Sequence, residues 1–431
     1  MVKKETKPNI FYNKDFVLLF LGGFISRIGS KIHYVAVTWY ILELTGSGTA
    51  TGTLLLLSTL PGVLLGPFGG VMADRINRKF LIVGMDVSRG LIALWLGWII
   101  YTGGAGFLHL AVATVLISIS SSFFNPAVDA TLPNLVDDRN LQQANSYRHF
   151  NMQFTAIIGA AVGGILISIF GVSGVIIFNG VSYLVSAFSE LFIWVPNVEM
   201  NMAEKTGFIE DMMIGGKFIY NDKTLFTLFG LSMIVNFLFS GVMAVGLPFV
   251  FKQILEVKSS LYGFSQSVFP AGAVIGTLII SFLPEIRDYF KVLLWTASLQ
   301  TLALFCLGIP LIPGILNNNA TFTIYLILLG ILVFFGFVNA INNIPINVLL
   351  QRIIPDHLRG RIFGLLSTLN QGLVPISMAF IGWLLDIVSA YILFMVSSSM
   401  LGVLIICSFR LKALRQINTR AREVSIDNQS V

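Results

Sequence analysis

Ionisable side chains are scarce in this chain, and those inside apolar stretches have the most chemistry to explain. Arg27, Lys31, Tyr34 and Thr38 recur at i, i+4, i+7 and i+11, so on a helix they form one polar stripe. Two cations in hydrocarbon are costly unless they meet water, an acidic partner or an anionic group on a bound molecule. The stripe is therefore expected to face a central cavity, with Trp39 beside it as a pocket wall. Asp86 and Arg89 stand three residues apart, a spacing that suits mutual neutralisation or proton transfer. A carboxyl group that carries a proton across a membrane must respond to burial, which makes Asp86, Asp129 and Glu190 the proton-coupling candidates. Asn236, Asn339, Asn342 and Gln371 add uncharged hydrogen-bonding groups. The 36 phenylalanines add aromatic surface, with Phe237 a pocket candidate. Aromatic walls with a few polar contacts suit an amphipathic organic molecule.

The elements that position these groups must cross a bilayer. Of 431 residues, 55% are hydrophobic and 11% charged, and the mean hydropathy is +0.84. A soluble domain carries about a quarter charged residues. Continuous apolar runs lie at 16–42, 49–73, 80–101, 107–124, 150–169, 175–195, 225–251, 261–283, 292–312, 322–346, 362–384 and 390–409. Each is long enough to span hydrocarbon as a helix, and none has the alternation of a barrel strand. The expected fold is an all-α membrane protein with twelve transmembrane helices.

Of the 27 Lys and Arg, Arg27, Lys31 and Arg89 lie within spans and Lys252 and Lys258 in connections on one side; the rest fall on the other. That asymmetry predicts cytoplasmic termini and explains the net charge of +6 without a nucleic-acid partner. The first apolar run is too long for a cleaved leader and is expected to be retained. Cys306 and Cys407 sit in apolar runs, which argues against a disulfide framework. No cluster of metal ligands, phosphate-binding glycine loop or nucleophile with a base is evident, so no metal, cofactor or enzymatic activity is expected.

Polarity rises between residues 196 and 223, dividing the spans six and six. The expected organisation is an N-terminal bundle (1–195), a cytoplasmic linker with an interfacial helix (196–223), a C-terminal bundle (224–409) and a basic cytoplasmic tail (410–431). Phe208, Ile209, Met212, Met213 and Ile219 supply the linker helix with an apolar face. The halves are also related in sequence. The register that sets Asn125 on Asn343 sets Asp129 on Asn347, Asp138 on Asp356, Gln153 on Gln371 and Gly164 on Gly382. Two related six-helix bundles form the pseudo-symmetric frame in which a central site opens to either side.

Between the second and third spans, Gly70-Val71-Met72-Ala73-Asp74-Arg75-Ile76-Asn77-Arg78-Lys79 packs charge into a tight turn. Its pattern, Gly-x-x-x-Asp-Arg-x-x-Arg-Lys, resembles the loop signature of the major facilitator superfamily. Asn125-Pro126-Ala127, Leu132-Pro133-Asn134-Leu135-Val136, and Leu350-Gln351-Arg352 through Gly360-Arg361-Ile362-Phe363 are similar to the macrolide-efflux type of bacterial drug exporter. The resemblance implies that Gly70, Asp74, Arg75, Arg78 and Lys79 form a conformational latch. It implies export of hydrophobic or amphipathic compounds by proton antiport, through a monomer in the bacterial inner membrane. Two departures stand out. No Lys or Arg lies between Leu110 and Asp138, where many proton-coupled exporters carry an arginine. The antiporter glycine motif reads Thr155, Gly159, Ala160, Gly163, Gly164, whose glycines are expected to serve helix packing. A carrier for a siderophore, lysolipid or anionic nutrient is the alternative, and a non-transporting receptor or scaffold a further one.

Overall fold

The computed structural model describes residues 10–195, 208–282 and 288–410, and every regular element among them is helical. Linker residues 196–207 and the tail beyond residue 410 lie outside the described residues, as do the side chains of Phe208, Ile209 and Met212. The long helices are α1 (Lys14–Thr45), α2 (Gly48–Arg75), α3 (Arg78–Tyr101), α4 (Phe107–Leu135) and α5 (Asp138–Glu190). After the short α6 (Phe208–Asn221) come α7 (Lys223–Gly241), α8 (Ser259–Phe282), α9 (Tyr289–Gly308), α10 (Thr321–Ile353), α11 (Asp356–Leu385) and α12 (Ala390–Arg410). Wide π-type turns carry α7 onward to Ile254.

Local chemistry sets the ends. Asn13 accepts from the amides of Asp15 and Phe16 to start α1, Asn77 does the same for Lys79 and Phe80 in α3, and Asp222 for Thr224 and Leu225 in α7. Gly46, at φ 63°, closes α1 in the left-handed conformation that glycine adopts without strain.

Eleven described helices are long and apolar enough to cross a membrane. One of them, Asn140–Glu190, has 51 residues, or about 76 Å at the helical rise, against a hydrocarbon core of about 30 Å. Its backbone breaks at Gly171 (φ 68°, ψ 175°), between the two apolar runs read from the sequence. It therefore supplies two crossings, and the described chain crosses twelve times.

The helices form two compact units. The first contains Met1–Gly46, Thr53–Asn201 and Glu256–Ser267, and the second Ser47–Gly52, Met202–Leu255 and Val268–Val431. The start of α2 thus belongs to the second unit and the start of α8 to the first. In the first unit α5 packs along α1 and α3, and α3 along α4. In the second, α9 packs against α10 and α12, and α11 against α7.

Glycine makes the two exchanged segments fit. A Cβ on Gly164 would stand 2.3 Å from the Ser259 carbonyl oxygen and 2.7 Å from the Gly263 Cα. One on Gly382 would stand 2.4 Å from the Gly48 carbonyl oxygen and 2.9 Å from the Gly52 Cα. The repeat-related glycines thus perform the same task, a backbone-to-backbone helix crossing, one in each unit.

Candidate functional site

In the first unit, Asp86 and Arg89 pair on α3 with side chains almost out of solvent, 0% and 5% exposed as residues. The Arg89 guanidinium also lies 3.8 Å from the Phe124 ring centroid and 4.6 Å from that of Tyr183, so aromatic faces cover a cation already bound to its counter-ion. Tyr183 is held by a 2.7 Å contact to the Ser30 hydroxyl of α1. Glu190, at the end of α5, is 1% exposed; one carboxylate oxygen accepts from Ser186 Oγ at 3.1 Å and the other has no partner. Asp129 of α4 is paired with Arg148 of α5 and is half exposed. The three acidic candidates therefore differ: Asp86 is neutralised by a neighbour on its own helix, Asp129 by one on another, and Glu190 accepts a hydrogen bond only from a hydroxyl while the charge of Arg89, already paired with Asp86, acts on it from nearby.

Glu190, Arg27, Arg148 and Asn151 share a cleft of about 40 Å³, walled by Phe16, Phe20 and Phe124. That is room for about two or three waters. The α1 stripe splits along its length. Arg27 opens on this cleft, and Lys31 is exposed with its stem accommodated by Gly159, whose Cβ would sit 2.7 Å from that of Lys31. Tyr34 is half buried. Thr38 is buried and donates to the Tyr34 carbonyl at 2.8 Å, and Trp39 packs on Tyr262 at 5.2 Å between ring centroids. Gly163 crosses α1 at Ile32, a Cβ there falling 3.2 Å from the Ile32 Cα.

At the α2–α3 turn, Asp74 stands 3.8 Å from Arg78, which also donates to the carbonyls of Ala73 at 3.1 Å and Ala130 at 2.8 Å. Arg78 therefore ties the turn to α4. Arg75 is exposed, Lys79 half buried, and Gly70 has open space where a Cβ would lie.

The second unit holds a cavity of about 600 Å³. Asn236, Asn339 and Asn342 border it, whereas Phe237 stacks toward Phe380 and the exposed Gln371 bonds Ser367 on α11, both outside its wall. Thr296 Oγ1 donates to Asn342 Oδ1 at 2.7 Å, and Asn343 Nδ2 to Asn339 Oδ1 at 3.0 Å. Gln300, Asn343, Asn347 and Asn370 also border it, of which the sequence marked Asn343 and Asn347 as repeat-related positions and none as a cavity residue. For Asn343 and Asn347 the signal was available: with Asn339 they recur at i, i+4 and i+8, one face of α10.

Where α11 ends, Asp386 accepts from Ser47 Oγ at 2.7 Å and from the amides of Gly48 at 2.6 Å and Thr49 at 3.0 Å. Burial pushes its carboxyl pKa up, but the hydrogen bonds from Thr49, Ser47 and Gly48 outweigh that and hold it below the ordinary value.

Twelve apolar crossings in two related units, buried charge in one and a large cavity in the other, define a multi-pass membrane transporter rather than an enzyme. The family model of the Major Facilitator Superfamily matches residues 19–377, and the chain belongs to that family. It is 25% identical to macrolide efflux protein A of Streptococcus pyogenes over 401 residues, 91% of this chain and 93% of that one. It is 22% identical to the staphyloferrin A transporter of Staphylococcus aureus, over 85% of this chain and 86% of that one. Among solved structures, a bacterial homologue of the iron transporter ferroportin superposes with a TM-score of 0.68 at 17% identity, covering 95% of this chain and 98% of that one.

Proposed function

We propose that this protein exports hydrophobic or amphipathic organic compounds in exchange for protons, by alternating access in a bacterial cytoplasmic membrane, with both termini inside. The observation that carries the reading is Glu190: a carboxyl group buried at the end of an apolar helix, with one oxygen unpartnered and a small, largely apolar cleft leading to it that Arg27 and Arg148 also border. Around it, Asp86 and Asp129 pair with Arg89 and Arg148, Arg27 borders the same cleft, and the charge of Arg89 also acts on Glu190, so the three arginines are balanced only with Glu190 ionised. Protonating Glu190 leaves a cation uncompensated in a low-dielectric setting, a state the protein can relieve only by letting water or a counter-ion reach it. Proton binding and the side to which the cleft opens are thereby linked. Asp86 and Asp129 serve in this reading as fixed counter-ions. The turn from Gly70 to Lys79 acts as the latch, Asp74 and Arg78 setting its strength and Arg75 and Lys79 facing the membrane surface.

The macrolide efflux relative supports an organic cargo, and the aromatic and amide wall of the second unit is suited to one. An anionic cargo is the rival, favoured by Arg27 and the exposed Lys31 and by the siderophore named for a relative. Purified protein in liposomes with an imposed pH gradient, challenged with neutral, cationic and carboxylate compounds, separates these readings. Uphill movement of neutral or cationic amphiphiles against a proton flow is expected. Movement of carboxylates alone, or transport indifferent to the gradient, refutes the proposal.

A further inference from the structure

The repeat register that sets Asp129 on Asn347 also sets Arg148 on Leu366. In the first unit that pair is an ion pair beside a cleft of about 40 Å³. In the second, Asn347 and Leu366 border the cavity of about 600 Å³, whose wall contains no Asp, Glu, Lys, Arg or His among the described residues. Fixed charge has been removed and volume added at equivalent places. Two hydrogen-bonding groups in that wall are unused. Gln300 of α9 is 2% exposed, yet its Nε2 donates to nothing, and Asn370 Oδ1 of α11 is buried and accepts from nothing. Buried amides rarely go without partners.

We infer that the second unit seats the cargo by an uncharged face rich in hydroxyl or amide groups, with Gln300 donating to it, Asn370 accepting from it, and charge handling confined to the first unit. This rests on the transporter reading above and names its cargo chemistry. The volume is that of a drug-sized pocket, about 300–1,000 Å³. The apolar side of the cargo has an aromatic wall to pack on, for Phe335 lies 4.8 Å from Phe239 and 5.7 Å from Phe269 between ring centroids. A cation or anion entering this cavity loses hydration and meets no counter-ion, whereas a polyol or amide exchanges water for amide partners at little loss.

Equilibrium binding to the full chain in lipid nanodiscs, without an ion gradient, tests this with two tritiated probes. One is a polyhydroxylated macrolactone with no amine, the other the same lactone bearing a tertiary amino sugar. The neutral probe should bind about tenfold more tightly. Gln300→Leu should weaken it about tenfold. Asn342→Asp keeps the acceptor for Thr296 Oγ1 and should reverse the preference toward the amine. Asn347→Asp is the second carboxylate variant should the first not purify as a monodisperse protein. Equal or tighter binding of the amine probe by the native chain, or an unchanged preference in all variants, overturns the inference. Neutral-selective binding without gradient-driven flux upholds it and refutes proton-coupled export; gradient-driven flux with amine-selective binding does the reverse.

Discussion

Replacing Glu190 by Gln separates transport from its driving force. Glutamine keeps the shape of the side chain and an acceptor for Ser186 Oγ, but it cannot exchange a proton. Among Arg27, Arg89, Arg148, Asp86, Asp129 and Glu190 the formal charge is zero when Glu190 is ionised and +1 when it is protonated, so Gln mimics the protonated state. A one-unit pH difference stores about 1.4 kcal/mol per proton, which drives at most about a tenfold concentration ratio for one proton exchanged. In proteoliposomes with that gradient the native chain should approach this ratio, and the variant should stop at equal concentrations. Exchange of labelled for unlabelled cargo, which needs no net proton movement, should persist in Glu190→Gln. If tenfold accumulation survives in the variant, the coupling role of Glu190 is wrong. If accumulation and exchange vanish together from a monodisperse protein, Glu190 is structural.

Asp86→Asn should cost about 3–5 kcal/mol in thermal or denaturant unfolding, because it leaves Arg89 buried without its carboxylate. Adding Arg89→Leu should recover most of that loss, and strictly additive penalties would refute the pairing. Gly164→Val and Gly382→Val should each destabilise by about 1–3 kcal/mol or more through backbone clashes, while Gly70→Ala, with open space around it, should not; equal stability of all three would contradict the crossings. Asp74→Asn should change stability by less than about 1 kcal/mol and yet slow transport, whereas Arg78→Ala should lose about 3 kcal/mol through the Ala73 and Ala130 carbonyls. Since the Asp386 carboxyl is held below its ordinary value of 3.8, its contribution is present above that value and is lost as pH falls through the lower folded one. The stability difference between native chain and Asp386→Asn should thus stay flat from pH 8 to 5 and shrink only below about pH 4, and a change between pH 6 and 8 would refute the assignment.

The crossings were legible because hydrocarbon forces every backbone group into internal hydrogen bonds, so each apolar run between charged turns must be a helix. Even the break at Gly171, where one helix ends and the next begins without a loop, falls in the short gap between two such runs. Side-chain partners were less legible, because they depend on which helices converge. The i, i+3 spacing of Asp86 and Arg89 suits the pair they form, whereas Asp74 had both Arg75 and Arg78 within sequence reach and stands near Arg78. Nothing local tells that Thr38 satisfies its own helix while Arg27 faces α5 residues, or that Gln300, an isolated amide on α9, borders the same cavity as Asn370 on α11. Helical spacing defines a face; tertiary packing decides what that face meets.

The two related units differ where chemistry is performed and agree where backbones touch, and a physical reason separates the two cases. Helices that approach closely enough for one carbonyl oxygen to lie 2.3 or 2.4 Å from a glycine's absent Cβ tolerate no side chain there, so Gly164 and Gly382 are held to one residue type by sterics alone. No such limit acts on Asp129, which pairs with Arg148 at the edge of the cleft, or on Asn347, which borders the cavity, and the two are nearly equal in size. Charge there is set by what the site must do. In the first unit an acid is required because Arg148 is beside it, and Arg148 is tolerable only because the acid is there. In the second, replacing the arginine by Leu366 removes the need for the acid, and Asn347 is then free to serve a neutral cavity. Introducing an arginine by Leu366→Arg should accordingly be destabilising alone, and should be rescued by Asn347→Asp, as the ion pair of the first unit is rebuilt in the second.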